Sequence, residues 1–201
     1  MARLPQEIQR VSEMFSSFPG IGPKLSYRLG LFAAIKGKQN AQNLVDSINK
    51  MLRVITVCKE CGNVASQNIC DICNDPKRDK ETIVVVEDSL DLYSIEDTKV
   101  YNGLYHVLQG VISPINGVTP DDLTISLLLQ RVKSGNVKEV VFALNPTVEG
   151  DSTVLYIQKK IQEINSQIKT TRLAKGIPSG SDLEFIAPQT IAESLKRRDI
   201  I

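Results

Sequence analysis

Apolar residues recur at helical spacing near the start of the chain. Ile8, Val11 and Phe15 share a face, Phe18-Pro19-Gly20-Ile21-Gly22-Pro23 breaks the pattern, and Leu25, Leu29 and Phe32 resume it. The spacing predicts two helices joined by a tight turn, with Pro23 in the first turn of the second. A third helix follows, expected to be capped at Asn40, with Ala41, Leu44, Val45, Ile48, Leu52 and Ile55 facing a core. The pattern then changes period. Thr82-Ile83-Val84-Val85-Val86 is an unbroken β-branched run, as in a buried parallel strand, and leads through Glu87-Asp88-Ser89 into a helix reaching Ile95. The stretch Glu139-Val140-Val141-Phe142-Ala143-Leu144 repeats the design. Its turn, Asn145 to Asp151, opens a helix with Val154, Leu155, Ile157, Ile161 and Ile164. Between the two units, Thr119-Pro120-Asp121-Asp122 has the capping Thr, the first-turn proline and the acids of a helix start. This alternation predicts a doubly wound α/β sheet, with polar residues gathered at the carboxyl ends of its strands.

Composition narrows the class. In 201 residues, 42% are apolar and 23% charged, which supports a folded core and excludes disordered and low-complexity classes. No apolar run approaches the ~18 residues of a spanning helix, and no hydrophobic segment follows Arg3, so a cytoplasmic protein is expected. The net charge of +1 hides an asymmetry. Residues 1–57 carry 8 Lys and Arg against 3 Asp and Glu, residues 58–80 carry 4 against 4, and residues 81–201 carry 12 against 16. The basic first segment suits a polyanion, and the acidic last segment something else.

All four cysteines, Cys58, Cys61, Cys70 and Cys73, fall in one C-x2-C-x8-C-x2-C cluster. A disulfide framework would spread them to close large loops, and a two-cysteine redox motif needs no immediate second copy. Two C-x-x-C knuckles can instead present four thiolates tetrahedrally to one structural Zn2+, with Gly62 at the turn after the first pair and Lys59 and Lys77 nearby to offset the charge. Every ligand position is then filled, which excludes a catalytic water. Free thiols or an iron–sulfur cluster are the weaker readings of this spacing. So short a segment buries no core of its own, so metal should supply its folding energy.

The stretch FPGIGPKLSYRLG resembles the helix-hairpin-helix motif of DNA repair proteins, although Ser26 stands where the motif usually has Ala. Glycines permit a close backbone approach, and the N–H groups at the turn and helix start form a phosphate site. The candidate DNA-binding residues are Gly20, Ile21, Gly22, Lys24 and Arg28, the last two sharing a helical face. Gly37-Lys38 does not end a P-loop. Six residues instead of four separate Gly30 from Gly37, and Gln39 stands where Ser or Thr would hold Mg2+.

Glu87 at one strand end and the Asn145–Asp151 turn at another resemble the Toprim domain of topoisomerases and primases. Active members bind Mg2+ with a Glu and a later Asp-x-Asp, and the latter positions here read Asn145 and Thr147. An amide and a hydroxyl hold a hard cation far less well than carboxylates, so the domain is expected to be non-catalytic. Glu87, Glu149 and Asp151 remain as a vestigial acidic site, although helix capping is the commoner role for the last two.

The order of these modules, with YHVLQGVISPINGVTPDDL, NPTVEGDST and TRLAKGIPSGSDLEF, resembles the bacterial RecR family of recombination mediators over essentially the whole chain. The resemblance implies a multidomain α+β protein. Its parts would be a helix-hairpin-helix domain at 1–57, a four-cysteine zinc finger at 58–80, a Toprim-like α/β domain at 81–177 and a C-terminal segment at 178–201. It further implies a homo-oligomeric, tetrameric ring that clamps DNA through its phosphate backbone. Such a ring works with RecO and RecF to help RecA load onto gapped DNA, in the bacterial cytoplasm at the nucleoid, without a membrane partner.

The rival class is a Mg2+-dependent Toprim nuclease or topoisomerase-like enzyme using Glu87, Glu149 and Asp151. The missing Asp-x-Asp separates the two, and a topoisomerase would also need a second domain with a nucleophilic Tyr. A transcription-type zinc protein would need a recognition helix between the cysteine pairs. His106, the lone histidine, is expected to be structural, and Lys196, Arg197 and Arg198 to be a solvated helix end. Aromatics at 5% without Trp disfavour base stacking and favour backbone-directed binding.

Overall fold

The computed structural model describes residues 4–134, 136–174, 176–196 and 198. Arg197 therefore lies outside the described residues. The chain divides into two compact units, Met1–Ile55 and Thr56–Ile201.

The first unit is helical: α1 (Gln6–Ser16), α2 (Pro23–Ile35) and α3 (Lys38–Val54). Helices α1 and α2 form the expected hairpin, with Pro23 at the start of α2 and Gly22 as its N-cap. Two expectations for α3 are corrected. Gly37 is its N-cap, because the Gly37 N–H still closes the end of α2 on Phe32 O at 2.7 Å while the Gly37 carbonyl already accepts from Ala41 N at 2.8 Å. Asn40 thus lies inside the first turn. Nor does the apolar face of α3 meet a core: none of its residues is buried, and Leu44 and Leu52 are 47% and 71% exposed. The hairpin α1–α2 is too small to cover it, and an open apolar groove of about 510 Å³ runs between the helices, lined by Ile8, Val11, Phe15, Phe32, Leu44 and Val45.

The second unit opens with a short antiparallel pair, β1 (Thr56–Val57) and β2 (Val64–Ala65), then α4 (Asp71–Asn74). Next come β3 (Asp79–Val86), α5 (Ser89–Glu96), β4 (Gly103–Val107), α6 (Ile125–Ser134), β5 (Glu139–Ala143), α7 (Val148–Ile164), β6 (Lys169–Arg172) and α8 (Pro188–Lys196). Strands β3 to β6 make one parallel sheet in the order β4-β3-β5-β6, so the chain reverses its direction of travel across the sheet between β3 and β5. The alternation of side chains along β3 builds both faces. Ile83 and Val85 join Leu128 of α6 and Ile157 and Ile161 of α7, whereas Val84 and Val86 join Leu92 of α5 and Tyr105. This is the doubly wound arrangement.

One local expectation is corrected here as well. Thr119 starts a 3-10 turn over Pro120–Asp122, its N–H and Oγ1 both donating to Asp122 Oδ2, and the α-helix proper begins only at Ile125. On α7 the buried positions Val154, Ile157 and Ile161 leave Leu155, about 100° further round, on the solvent side. Among the described residues no helix is long and apolar enough to cross a membrane.

His106 on β4 is completely buried. Its Nε2 lies 3.0 Å from both Thr124 O and Thr124 Oγ1, and Arg131 Nη1 lies 3.3 Å from Nδ1. Burial first, and the Arg131 charge second, push its pKa down to about 3. The folded state thus resists a proton that the unfolded chain accepts near pH 6.5. This contribution to stability is complete above that value and is lost as pH falls towards 3, at up to about 1.4 kcal/mol per pH unit. Urea unfolding midpoints between about pH 7 and 4 should therefore fall more steeply for the wild type than for His106→Gln. Parallel curves would refute a neutral buried imidazole.

Candidate functional site

Three places bear the chemistry expected from the sequence. The first is the turn from α1 to α2. Gly20 has a φ of +81°, a left-handed conformation that favours glycine, and Ile21 N donates to Phe18 O at 3.2 Å. The first turn of α2 holds no acidic residue, so the positive end of its dipole is uncompensated. Lys24 and Arg28 stand on its exposed surface, and neither forms an ion pair among the described residues. Ser26 is buried and its hydroxyl donates to Pro23 O at 2.9 Å, so this departure from the motif is satisfied within the helix. The start of α2 thus carries no acid and has two exposed cations one helical turn apart.

The second place is the cysteine cluster. The β1–β2 hairpin presents Cys58 and Cys61, Cys70 is the N-cap of α4, and Cys73 lies on that helix. All four Sγ atoms lie within 4.8 Å of one another, and Cys58, Cys61 and Cys70 are buried. Among the described residues this is the one group of three or more His, Cys, Asp or Glu whose ligand atoms converge. The crowding alters the thiols themselves. Hydrogen bonds from Cys61 and then Cys73 hold Cys70 far below the ordinary thiol range, and Cys61, 3.5 Å from Cys70 Sγ, is pushed up to about 12 by that bond and by burial. Cys73 is pushed up too, first through its bond to Cys61. The Cys70 thiolate is thus easily formed while deprotonation of Cys61 and Cys73 is opposed, so making thiolates of those two needs a cation among them. The donor set fits a metal ion.

The knuckle is also fastened to the sheet. Val107 N donates to Cys61 O at 2.7 Å, and Gln109 Nε2 donates to Gly62 O at 2.5 Å. Gly62 has a φ of +76°, and a Cβ there would stand 2.5 Å from Val107 O, so glycine is required at this contact.

The third place is the carboxyl edge of the sheet, at the reversal between β3 and β5 where open α/β sheets bind ligands. Asn145 Nδ2 donates to Glu87 Oε2 at 2.9 Å, joining the two strand ends. Thr147 is the N-cap of α7 and accepts from Gly150 N at 3.0 Å. Asp151 Oδ1 accepts from Arg172 Nη2 at 2.6 Å. Of the residues expected here, Glu87 thus meets Asn145. Glu149 and Asp151 lie in the first turn of α7, and the three carboxylates do not converge. A cavity of about 440 Å³ beside this edge is lined by Asp91, Asn145, Arg172 and Thr190. The Asp91 carboxyl is held above its usual range by burial first and then by the charge of Asp88. Sequence reasoning missed Asp91, Arg172 and Gln109. An acid in the first turn of a helix after a strand end was a usable signal for Asp91. Nothing in the local sequence marked the other two.

Comparison with known proteins adds the following. A family model described as the Toprim domain matches residues 81–174. A protein of Bifidobacterium animalis subsp. lactis named recombination protein RecR is 44% identical over 191 residues, covering 95% of this chain and 94% of that protein. Its namesake in Bradyrhizobium sp. (strain BTAi1) is 40% identical over 200 residues, covering 100% of both chains. That of Lactococcus lactis is 39% identical over 194 residues, covering 96% of this chain and 97% of its own.

Proposed function

Since the chain belongs to the RecR family of recombination proteins, we propose that it clamps DNA and acts with RecO and RecF to promote RecA loading on gapped single-stranded DNA. It is a mediator of recombinational repair and not an enzyme. The observation that carries this is the identity over whole chains, joined to the uncompensated start of α2 with Lys24 and Arg28 beside it. Backbone amides and two cations recognise phosphates without regard to sequence. Gly20, Ile21 and Gly22 bring the main chain close enough for this. The four cysteines hold one Zn2+ whose ligand set is closed, so the ion braces the β1–β2 hairpin and α4 and has no position left for a substrate.

The assembly is a homo-oligomeric, tetrameric ring. The uncovered apolar face of α3 and the exposed Phe32 and Ile35 of α2 give the first unit surface to bury against further copies. The protein works in the bacterial cytoplasm, at the nucleoid. Of the vestigial acidic residues, Glu87 is paired with Asn145 while Glu149 and Asp151 stand apart on α7, and this edge of the sheet is a surface for protein partners.

The test is reconstitution. With RecO and RecF, the purified protein should speed RecA filament formation on gapped DNA coated with single-strand-binding protein, and its mass by light scattering should be that of several chains. Supercoiled and gapped DNA should remain intact in Mg2+ or Mn2+. Nicking that disappears in Glu87→Ala would favour the nuclease reading. Failure to stimulate RecA would sink the mediator reading.

A further inference from the structure

We propose that Gln109 is a positioning residue that ties the four-cysteine centre to the Glu87 strand end, so that metal held by the cysteines fixes the turn in which Glu87 sits. The proposal rests on the reading of those cysteines as a Zn2+ site.

Gln109 has a φ of +67°, in the left-handed region that side chains other than glycine seldom adopt. Such a conformation persists where the surroundings hold it, and here they do so from two sides. On one side its own Nε2 donates to Gly62 O at 2.5 Å, on the residue that directly follows Cys61. On the other, the next residue's amide, Gly110 N, donates to Glu87 O at 3.1 Å. Between these, Leu108 N donates to Val86 O at 3.0 Å and so keeps β4 in step with β3 up to the turn.

The knuckle end of this path is tightly placed. Val107 N donates to Cys61 O at 2.7 Å, and Val107 O abuts Gly62 while accepting from Thr124 Oγ1 at 2.7 Å. At the far end Glu87 Oε2 accepts from Asn145 Nδ2 at 2.9 Å, so a shift of the Glu87 main chain is felt at that bond. Hydrogen bonds linked by the short covalent run from Val107 to Gly110 thus lead from a cysteine carbonyl to the reversal point of the sheet. Loosening the knuckle frees Gly62 O, releases the side chain of Gln109, and lets its backbone leave the left-handed region, taking the Gly110 amide away from Glu87. The protein surface at Glu87 and Asn145 then depends on metal loading. By reciprocity, whatever binds that surface affects metal affinity by the same factor.

The experiment uses the full-length protein labelled with 15N, loaded with Zn2+ and then stripped by a chelator. The readouts are the Gly110 backbone amide and the Asn145 side-chain amide. In the wild type both signals should shift on metal removal. In Gln109→Met, which keeps the length but lacks the N–H, the Asn145 shift should be less than half as large. Zn2+ affinity, measured by competition with a chromophoric chelator, should fall about three- to tenfold, the effect of one hydrogen bond. Gln109→Gly provides the second variant. It removes the same side chain where glycine is unstrained, and it should melt no lower than the wild type while losing the Asn145 response. Bound Zn2+ with an Asn145 signal that does not move, or that moves equally in all three proteins, overturns the coupling and leaves the metal site intact. Purified wild type that binds no Zn2+ overturns both.

Discussion

Cys58→Ser combined with Cys61→Ser should abolish metal binding and unfold the knuckle while leaving the parallel sheet in place. Among the described residues, the segment from β1 to α4 packs around Cys58, Cys61, Ala65 and Cys70 with Ile72 and Cys73 against them, and Ile72 also touches the core around α5, so its own burial is small. A four-thiolate metal site supplies on the order of 10 kcal/mol of folding energy at neutral pH, far more than so few side chains can. The sheet has two cores that include no cysteine ligand, one against α6 and α7 and one against α5. It should keep its far-UV circular dichroism. The connection will be felt all the same, because Val107 N and Gln109 Nε2 lose their acceptors at Cys61 and Gly62. At about 1 kcal/mol per bond and about 2–4 °C per kcal/mol, the sheet should melt roughly 4–8 °C lower. Trypsin supplies the local readout: Lys59 becomes a rapid cleavage site in the double variant and stays slow in the metal-loaded protein. Equal metal content by elemental analysis, or equal cleavage at Lys59, would remove the case for a structural metal.

The second large effect should come from Lys24→Ala with Arg28→Ala. Each cation that neutralises a duplex phosphate adds about 0.9 to the slope of log affinity against log salt, so the double variant should bind with a slope smaller by about 1.8. At low salt its affinity should be weaker by roughly one to two orders of magnitude, equally for unrelated DNA sequences, because the contacts are to the backbone. Both side chains are exposed on α2, whose fold does not depend on them, and melting should be unchanged. Gel shifts on duplexes at several salt concentrations give slope and affinity together. An unaltered slope would move the DNA site away from the first unit, for instance to Lys196 and Arg198.

How far these sites could be read beforehand differed with the physics behind each. The four thiols were legible because ligand geometry fixes their spacing in the chain. The α1–α2 hairpin was legible because Gly20 and Pro23 are demanded by local backbone angles. Strand β3 was legible because a strand buried on both faces admits only apolar residues at its centre. The face of α3 shows the limit of such patterns: periodicity marks Leu44, Val45, Ile48 and Leu52 as one surface but carries no information on what covers it. Thr119 shows another, since the residues that cap a 3-10 turn are those that cap an α-helix. The bonds between Gln109 and Gly62, 47 residues apart, and between Arg172 and Asp151, 21 apart, arise from folding together of separate elements, and no local pattern encodes them.

The amide of Asn145 has a consequence for what this edge of the sheet demands of its surroundings. A carboxylate at that place would sit within about 3 Å of the Glu87 oxygen, and the two like charges would force the strand ends apart unless a divalent ion came between them. The amide turns that repulsion into attraction with a single nitrogen. The junction of β3 and β5 therefore needs no divalent ion between its own two strand ends, whereas an acidic counterpart would.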